Sequence, residues 1–270
     1  MRRAVRSSVF AALAAFLGTV LADPALAADP KDALARARAL YNERKFESAI
    51  AAAEEGRLSP EHADSADLIA ARAYLERYRE SASADDLTRA RDRLRRLDPQ
   101  RLAARERTEF VVGLGTALFL DGSAGAAADI FESVLAGFEI TPEARERVLD
   151  WWASALDLDV RPRSEFDRQA VYTKIRERMR AELGAHPGSG VAAYWMAAAA
   201  AGQGNWQAAW DAAQAGWVRA PLGTDYGESL RVDLDRLVSR AIAPERAKAL
   251  SVPPEFLLGE WDQFKERWKR

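Results

Sequence analysis

The side chains best suited to chemistry in this chain are two histidines and several close pairs of carboxylates. His62 stands in Pro60-Glu61-His62-Ala63-Asp64, where an imidazole among acids could hold a metal ion. A catalytic zinc site takes three protein ligands, and the His-Glu-x-x-His spacing that sets two of them on one helix face does not occur. Proline and acids are also what the first turn of a helix favours, and this stretch reads as a helix start. His186 precedes Pro187 and reads as a cation at a helix end. Gly113-Leu114-Gly115 opens like a dinucleotide fingerprint but lacks the third glycine and a preceding strand. Gly188-Ser189-Gly190 is not the Gly-x-Ser-x-Gly of a nucleophile elbow. Asp85-Asp86 and Asp157-x-Asp159 come with no cleft that would hold a substrate between them, so they read as caps or solvated faces. Cysteine is absent, which excludes disulfides, thiolate metal sites and a cysteine nucleophile. No catalytic residue, metal ligand or cofactor site is assigned, and the chain is expected not to be an enzyme.

The elements that would position any site are helices. Apolar residues recur at i, i+3, i+4 and i+7, and no segment reads as a strand. Prolines at 60, 99, 142, 162, 187, 221, 244 and 253–254 punctuate the pattern. In the stretch 112–136, Gly115, Ala117 and Ala127 share faces with Leu114, Leu118, Phe131 and Leu135. Two helices reach the short end of the ~8–10 Å packing range only where small residues meet, so these three are expected to form one crossing. Aligned on the turn glycine, Leu114 to Gly122 matches Met196 to Gly204, and Ala127-x3-Phe131-x2-Val134 matches Ala209-x3-Ala213-x2-Gly216. Ala39 to Ile50, with Tyr41, Phe46 and Ala49, follows the same plan.

These segments resemble the tetratricopeptide repeat, which has a small residue in mid-helix A, a turn glycine, spaced alanines in helix B and often a closing proline. The resemblance covers 107–138, 190–221 and 30–58. Two irregular units lie between them. Asp67 to Pro99 has an inter-helix turn a few residues too long, and Pro142 to Pro187 has Arg161-Pro162-Arg163 for its turn, then a helix from about Ser164 to Leu183. What the resemblance implies is an all-α, right-handed superhelix of about five helical pairs over 28–221. Residues 222–270 are expected to supply capping helices. One carries Leu230, Leu234, Leu237 and Val238, a second runs from Pro244 to Leu250, and the last has Leu257, Trp261, Phe264 and Trp268 in one stripe. That last stripe would otherwise lie on a membrane surface.

The resemblance further implies a ligand peptide on the concave surface lined by the first helix of each pair. The matching positions are Arg38, Tyr41 and Asn42, then Arg72, Leu75 and Glu76, then Val112, Thr116 and Phe119, and finally Tyr194. The lysine and asparagine set by which some members clamp a peptide carboxylate is not matched. Arginines at one end and aromatics further along would suit an acidic-hydrophobic segment. Among eight tryptophans, Trp206, Trp210 and Trp217 form one helical stripe, either packed on the neighbouring elements or open to a partner. Trp151-Trp152 cannot both face one side of a helix.

Residues 1–27 read as a secretory signal. Arg2, Arg3 and Arg6 precede an apolar run from Val9 to Leu21, and Ala25-Leu26-Ala27 fits cleavage after Ala27. The run falls short of the about 20 residues a permanent anchor needs. Removing it leaves 36 basic against 40 acidic residues, a net of −4, which is no electrostatic footprint for nucleic acid. No later run is long and apolar enough to span a bilayer. The expectation is a non-catalytic periplasmic or secreted scaffold that binds an extended peptide or an envelope protein. The alternative is a peripheral membrane or cell-wall accessory acting through the last helix.

Overall fold

A computed structural model describes residues 30–223 and 226–269. The leader read over 1–27 lies outside the described residues. Within them every regular element is helical and no strand occurs. Five consecutive helix pairs come first: α1 (Pro30–Asn42) with α2 (Phe46–Gly56), α3 (Ala63–Ser81) with α4 (Ala84–Arg96), α5 (Ala104–Leu120) with α6 (Ala124–Gly137), α7 (Pro142–Val160) with α8 (Glu165–Ala185), and α9 (Gly190–Gly202) with α10 (Trp206–Arg219). Then follow α11 (Glu228–Leu237), α12 (Ala243–Leu250) and α13 (Pro254–Arg267). No helix among the described residues is long and apolar enough to cross a membrane.

The first, third and fifth pairs turn by one hydrogen-bond pattern. Arg44, Gly122 and Gly204 take φ of 61°, 85° and 72°. Each donates its N–H to the carbonyl three residues back, and the next residue donates to the carbonyl five back, as in Ser123 to Leu118 at 2.9 Å and Asn205 to Ala200 at 3.0 Å. Glycine meets no Cβ penalty in the left-handed region, and Arg44 accepts it in the first turn. The second pair differs in the helix rather than in the turn: α3 runs for 19 residues and stops at Ala82, with φ 54°. The surplus residues expected in that turn are absorbed by α3. In the fourth pair α7 and α8 touch sparingly, because the fully buried Leu149, Trp152, Ile175 and Met179 fill the space between them. The predicted long helix is α8, with the Ser164 hydroxyl accepting from the Asp167 N–H as its N-cap.

Gly115 makes the close crossing. A Cβ there would lie 2.7 Å from Phe131 Cε1 of α6, and Phe131 is fully buried. Ala127 packs in the same core, whereas Ala117 faces the other way, into the core with Leu94 and Leu102. The expected three-residue crossing is therefore Gly115 against α6, with Ala117 serving the neighbouring pair. Three apolar cores run in series along the chain, and α9 joins the last two. Ala192, Trp195 and Ala199 belong to one, and Ala193, Ala197 and Ala200 belong to the next. Such a two-sided helix must be apolar nearly all round.

The C-terminal elements share their core with α9 and α10. Trp261 meets Trp210 and Trp217 edge-on at 5.8 and 5.5 Å and stacks on Phe264 at 5.6 Å. Leu257, Trp261 and Phe264 are buried, so the stripe expected to cap the repeats or lie on a membrane is packed inward, and Trp268 alone of it is half-exposed. Pro244 stands in the first turn of α12, as expected, but no loop separates α12 from α11. The chain stays helical from α11 into α12 through a π-turn at Val238–Ile242.

Candidate functional site

The odd-numbered helices contact one another in series, α1 to α3, α3 to α5, α5 to α7, α7 to α9 and α9 to α11. Most of the sequence-predicted positions on these helices have half-buried or exposed side chains. Tyr41 on α1 packs on Phe46 at 5.7 Å, and the Arg72 guanidinium of α3 lies over its ring at 4.4 Å. Burial raises the Tyr41 phenol above its ordinary value, against the opposing pull of Arg72. Arg72 also donates to Glu109 of α5 at 2.5 Å, and Arg38 pairs with Glu106 one turn earlier on α5. These two arginines therefore tie α1 and α3 to α5 and are not free charges awaiting an acidic ligand. Asn42 is exposed at the end of α1. Glu76 is half-buried and pairs with Arg79 at 2.9 Å.

Two predicted residues do not reach the surface. Leu75 is buried in the first core. Thr116 is buried and donates its hydroxyl to the Val112 carbonyl at 2.9 Å, which satisfies it within α5. Val112 itself is half-buried against the second core. Phe119 is half-buried and stands edge-on to Trp151 of α7 at 5.2 Å. Of the neighbouring tryptophans Trp152 is buried, and Trp151 turns outward beneath the Arg79 guanidinium at 5.0 Å.

Beyond Trp151 the polarity changes. Tyr194 of α9 is half-buried, and burial followed by Asp233, Asp150 and Asp157 raises its phenol. The Trp195 indole N–H donates to Asp150 Oδ1 at 2.8 Å. Burial still holds the Asp150 carboxyl above the usual aspartate range, with Asp233 adding to the effect and Arg79 opposing it. Arg147 of α7 stands within electrostatic range of Tyr41 and makes no ion pair or hydrogen bond among the described residues. Arg79, Arg147, Asp150 and Asp233 were not singled out in the sequence, whereas Trp151 was named as one of a pair that could not both face inward.

The remaining candidates are structural. His62 holds the N-cap position of α3 with no side-chain capping bond, and His186 lies 2.9 Å from Glu182, a buried carboxylate gripped at 2.8 and 2.7 Å by Arg145. Asp157 and Asp159 pair with Arg161 and Arg163 at the end of α7, each at 2.5 Å, and Asp86 pairs with Arg77. Among the described residues no group of three or more metal-ligating side chains converges. No protein-family model, curated protein or solved structure matches the chain.

Proposed function

We propose that the odd-numbered helices line the concave face of a right-handed, tetratricopeptide-like superhelix, and that this face binds an extended polypeptide without catalysis. Three observations support the superhelix. The odd helices meet in series. Three of the inter-helix turns share one geometry. Side chains also reach across the face over intervening helices, Arg38 of α1 to Glu106 of α5 and Arg79 of α3 to Trp151 of α7. Such an inward-curving surface is what stacked helix pairs offer to a ligand.

The observation that carries the reading is a row of half-buried aromatics, Tyr41, Phe119, Trp151 and Tyr194, on α1, α5, α7 and α9. Arg147 stands beside it without an ion pair among the described residues, whereas Arg79 and Asp233 are held by Glu76 and Arg236 and Asp150 by the Trp195 indole. Rigid aromatics with a polar edge are the side chains that anchor interfaces. The row favours a segment rich in apolar or aromatic residues with an acidic group within reach of Arg147. The secretory pattern read in residues 1–27 supports an envelope or extracellular setting for this activity. Mass spectrometry of the exported protein should then find Ala28 at its N-terminus.

Selection from a displayed random-peptide library tests the surface. Enriched peptides should be rich in apolar or aromatic residues, carry an acidic residue, and lose at least tenfold in affinity for Trp151→Ala and for Tyr194→Ala. Peptides bound equally by the parent and both variants would place recognition elsewhere.

A further inference from the structure

A second concavity lies away from the aromatic row. A cleft of about 340 Å³ opens among α8, α9 and α10, lined by Leu183, Ala193 and Met196 with small residues of α10. Helical spacing sets Ala193 and Met196 on a side of α9 turned from Tyr194. Gly184 of α8 also lines the cleft, and a Cβ added there would meet nothing within 4 Å. Packing does not require a glycine at this position, and its missing side chain leaves the cleft open. The interior is mainly apolar carbon, and its volume is at the small end of the ~300–1,000 Å³ typical of ligand pockets.

Two arginines line the same cleft, Arg180 from α8 and Arg219 from α10. Both are exposed, and neither has a hydrogen bond, ion pair or ring contact among the described residues. Nearby arginines of the fold are engaged: Arg145 grips Glu182, and Arg176 reaches Gln203 at 2.8 Å. Two guanidinium groups without counter-ions at one small apolar cleft match a ligand with one anionic head and one short apolar tail. Guanidinium donors suit a carboxylate in particular, since its two oxygens accept paired N–H groups.

We infer that this cleft binds a single-chain aliphatic carboxylate, a free medium-chain fatty acid, with its carboxylate between Arg180 and Arg219 and its chain along Leu183, Ala193 and Met196. The site is separate from the odd-helix face, so either proposal stands if the other fails.

Isothermal titration of the purified chain with decanoate, decanol and acetate tests both halves of the site. Decanoate should bind at one site per chain, decanol at least tenfold more weakly, and acetate not measurably. The double variant Arg180→Gln/Arg219→Gln should bind decanoate no better than decanol. Gly184→Leu, which puts a side chain into the cleft, should abolish decanoate binding with the melting temperature preserved. Ala212→Leu fills the same cleft from α10 if Gly184→Leu does not fold. The inference is overturned if decanoate does not saturate below its micellar concentration. It is equally overturned if decanol binds as well as decanoate, or if a folded cleft-filling variant binds decanoate like the parent.

Discussion

Replacing Gly115 by alanine sets two effects of known size against each other. In a helix interior the change gains about 1 kcal/mol of intrinsic helix stability. The added Cβ, however, would stand 2.7 and 3.0 Å from Phe131 Cε1 and Cδ1 and 3.1 Å from Ile130 Cγ2. Carbon contacts are comfortable at about 3.5–4.0 Å, so the ring must retreat by the better part of an ångström. It has nowhere to go: Phe131 is fully buried, and Trp151 packs against it at 5.7 Å. The helices α5 and α6 must part instead, and overpacking of this kind costs about 1–3 kcal/mol. Gly259 in the interior of α13 provides the control, because a Cβ there meets nothing within 4 Å. Gly259→Ala should therefore stabilise by about 1 kcal/mol. Gly115→Ala should fall below it by the overpacking term, about 1–3 kcal/mol. Urea unfolding followed by far-ultraviolet circular dichroism measures both. If Gly115→Ala proves as stable as Gly259→Ala, the close approach of α5 and α6 is not what holds a glycine at position 115.

Three further outcomes follow from buried groups. Arg93 is buried between Asp67 and Glu54. Arg93→Ala leaves the buried Asp67 carboxylate only the half-exposed Arg57 at 3.5 Å and should cost up to about 3–5 kcal/mol in a denaturant titration, and Arg93→Lys should restore only part, since one ammonium replaces a two-pronged donor. The Arg145 hydrogen bonds hold the Glu182 carboxyl below its ordinary value of 4.5. A group whose folded value is depressed stabilises above its unfolded value, and that contribution is lost as pH falls through the folded one. Glu182→Gln should therefore be less stable than the parent at neutral pH by about 1–3 kcal/mol, with the gap closing below pH 4.5 in melts across pH. Trp261→Ala removes the ring on which Trp210 and Trp217 pack. It should cost about 3–5 kcal/mol and shift tryptophan emission to the red.

The amino-acid sequence by itself determined the helices, their pairing in order along the chain and the left-handed turns at Gly122 and Gly204. These depend on periodicity and turn chemistry within a dozen residues, which a local reading captures. It also placed Tyr41, Phe119 and Tyr194 on one series of helices. Tertiary structure alone decided the composition of the face. Leu75 and Glu76 are adjacent in sequence, yet one is core and the other surface. Each residue advances about 100° around a helix, so helical spacing alone leaves the rim of a face uncertain by a residue. The partners of Arg38, Arg72, Arg79 and Asp150 lie on other helices, and the angle at which those helices cross decides who meets whom. The π-turn at Val238–Ile242, which joins α11 to α12 without a loop, was not legible in the local pattern. Local periodicity fixes which residues form a helix, and contacts between helices fix which of them remain available to a ligand.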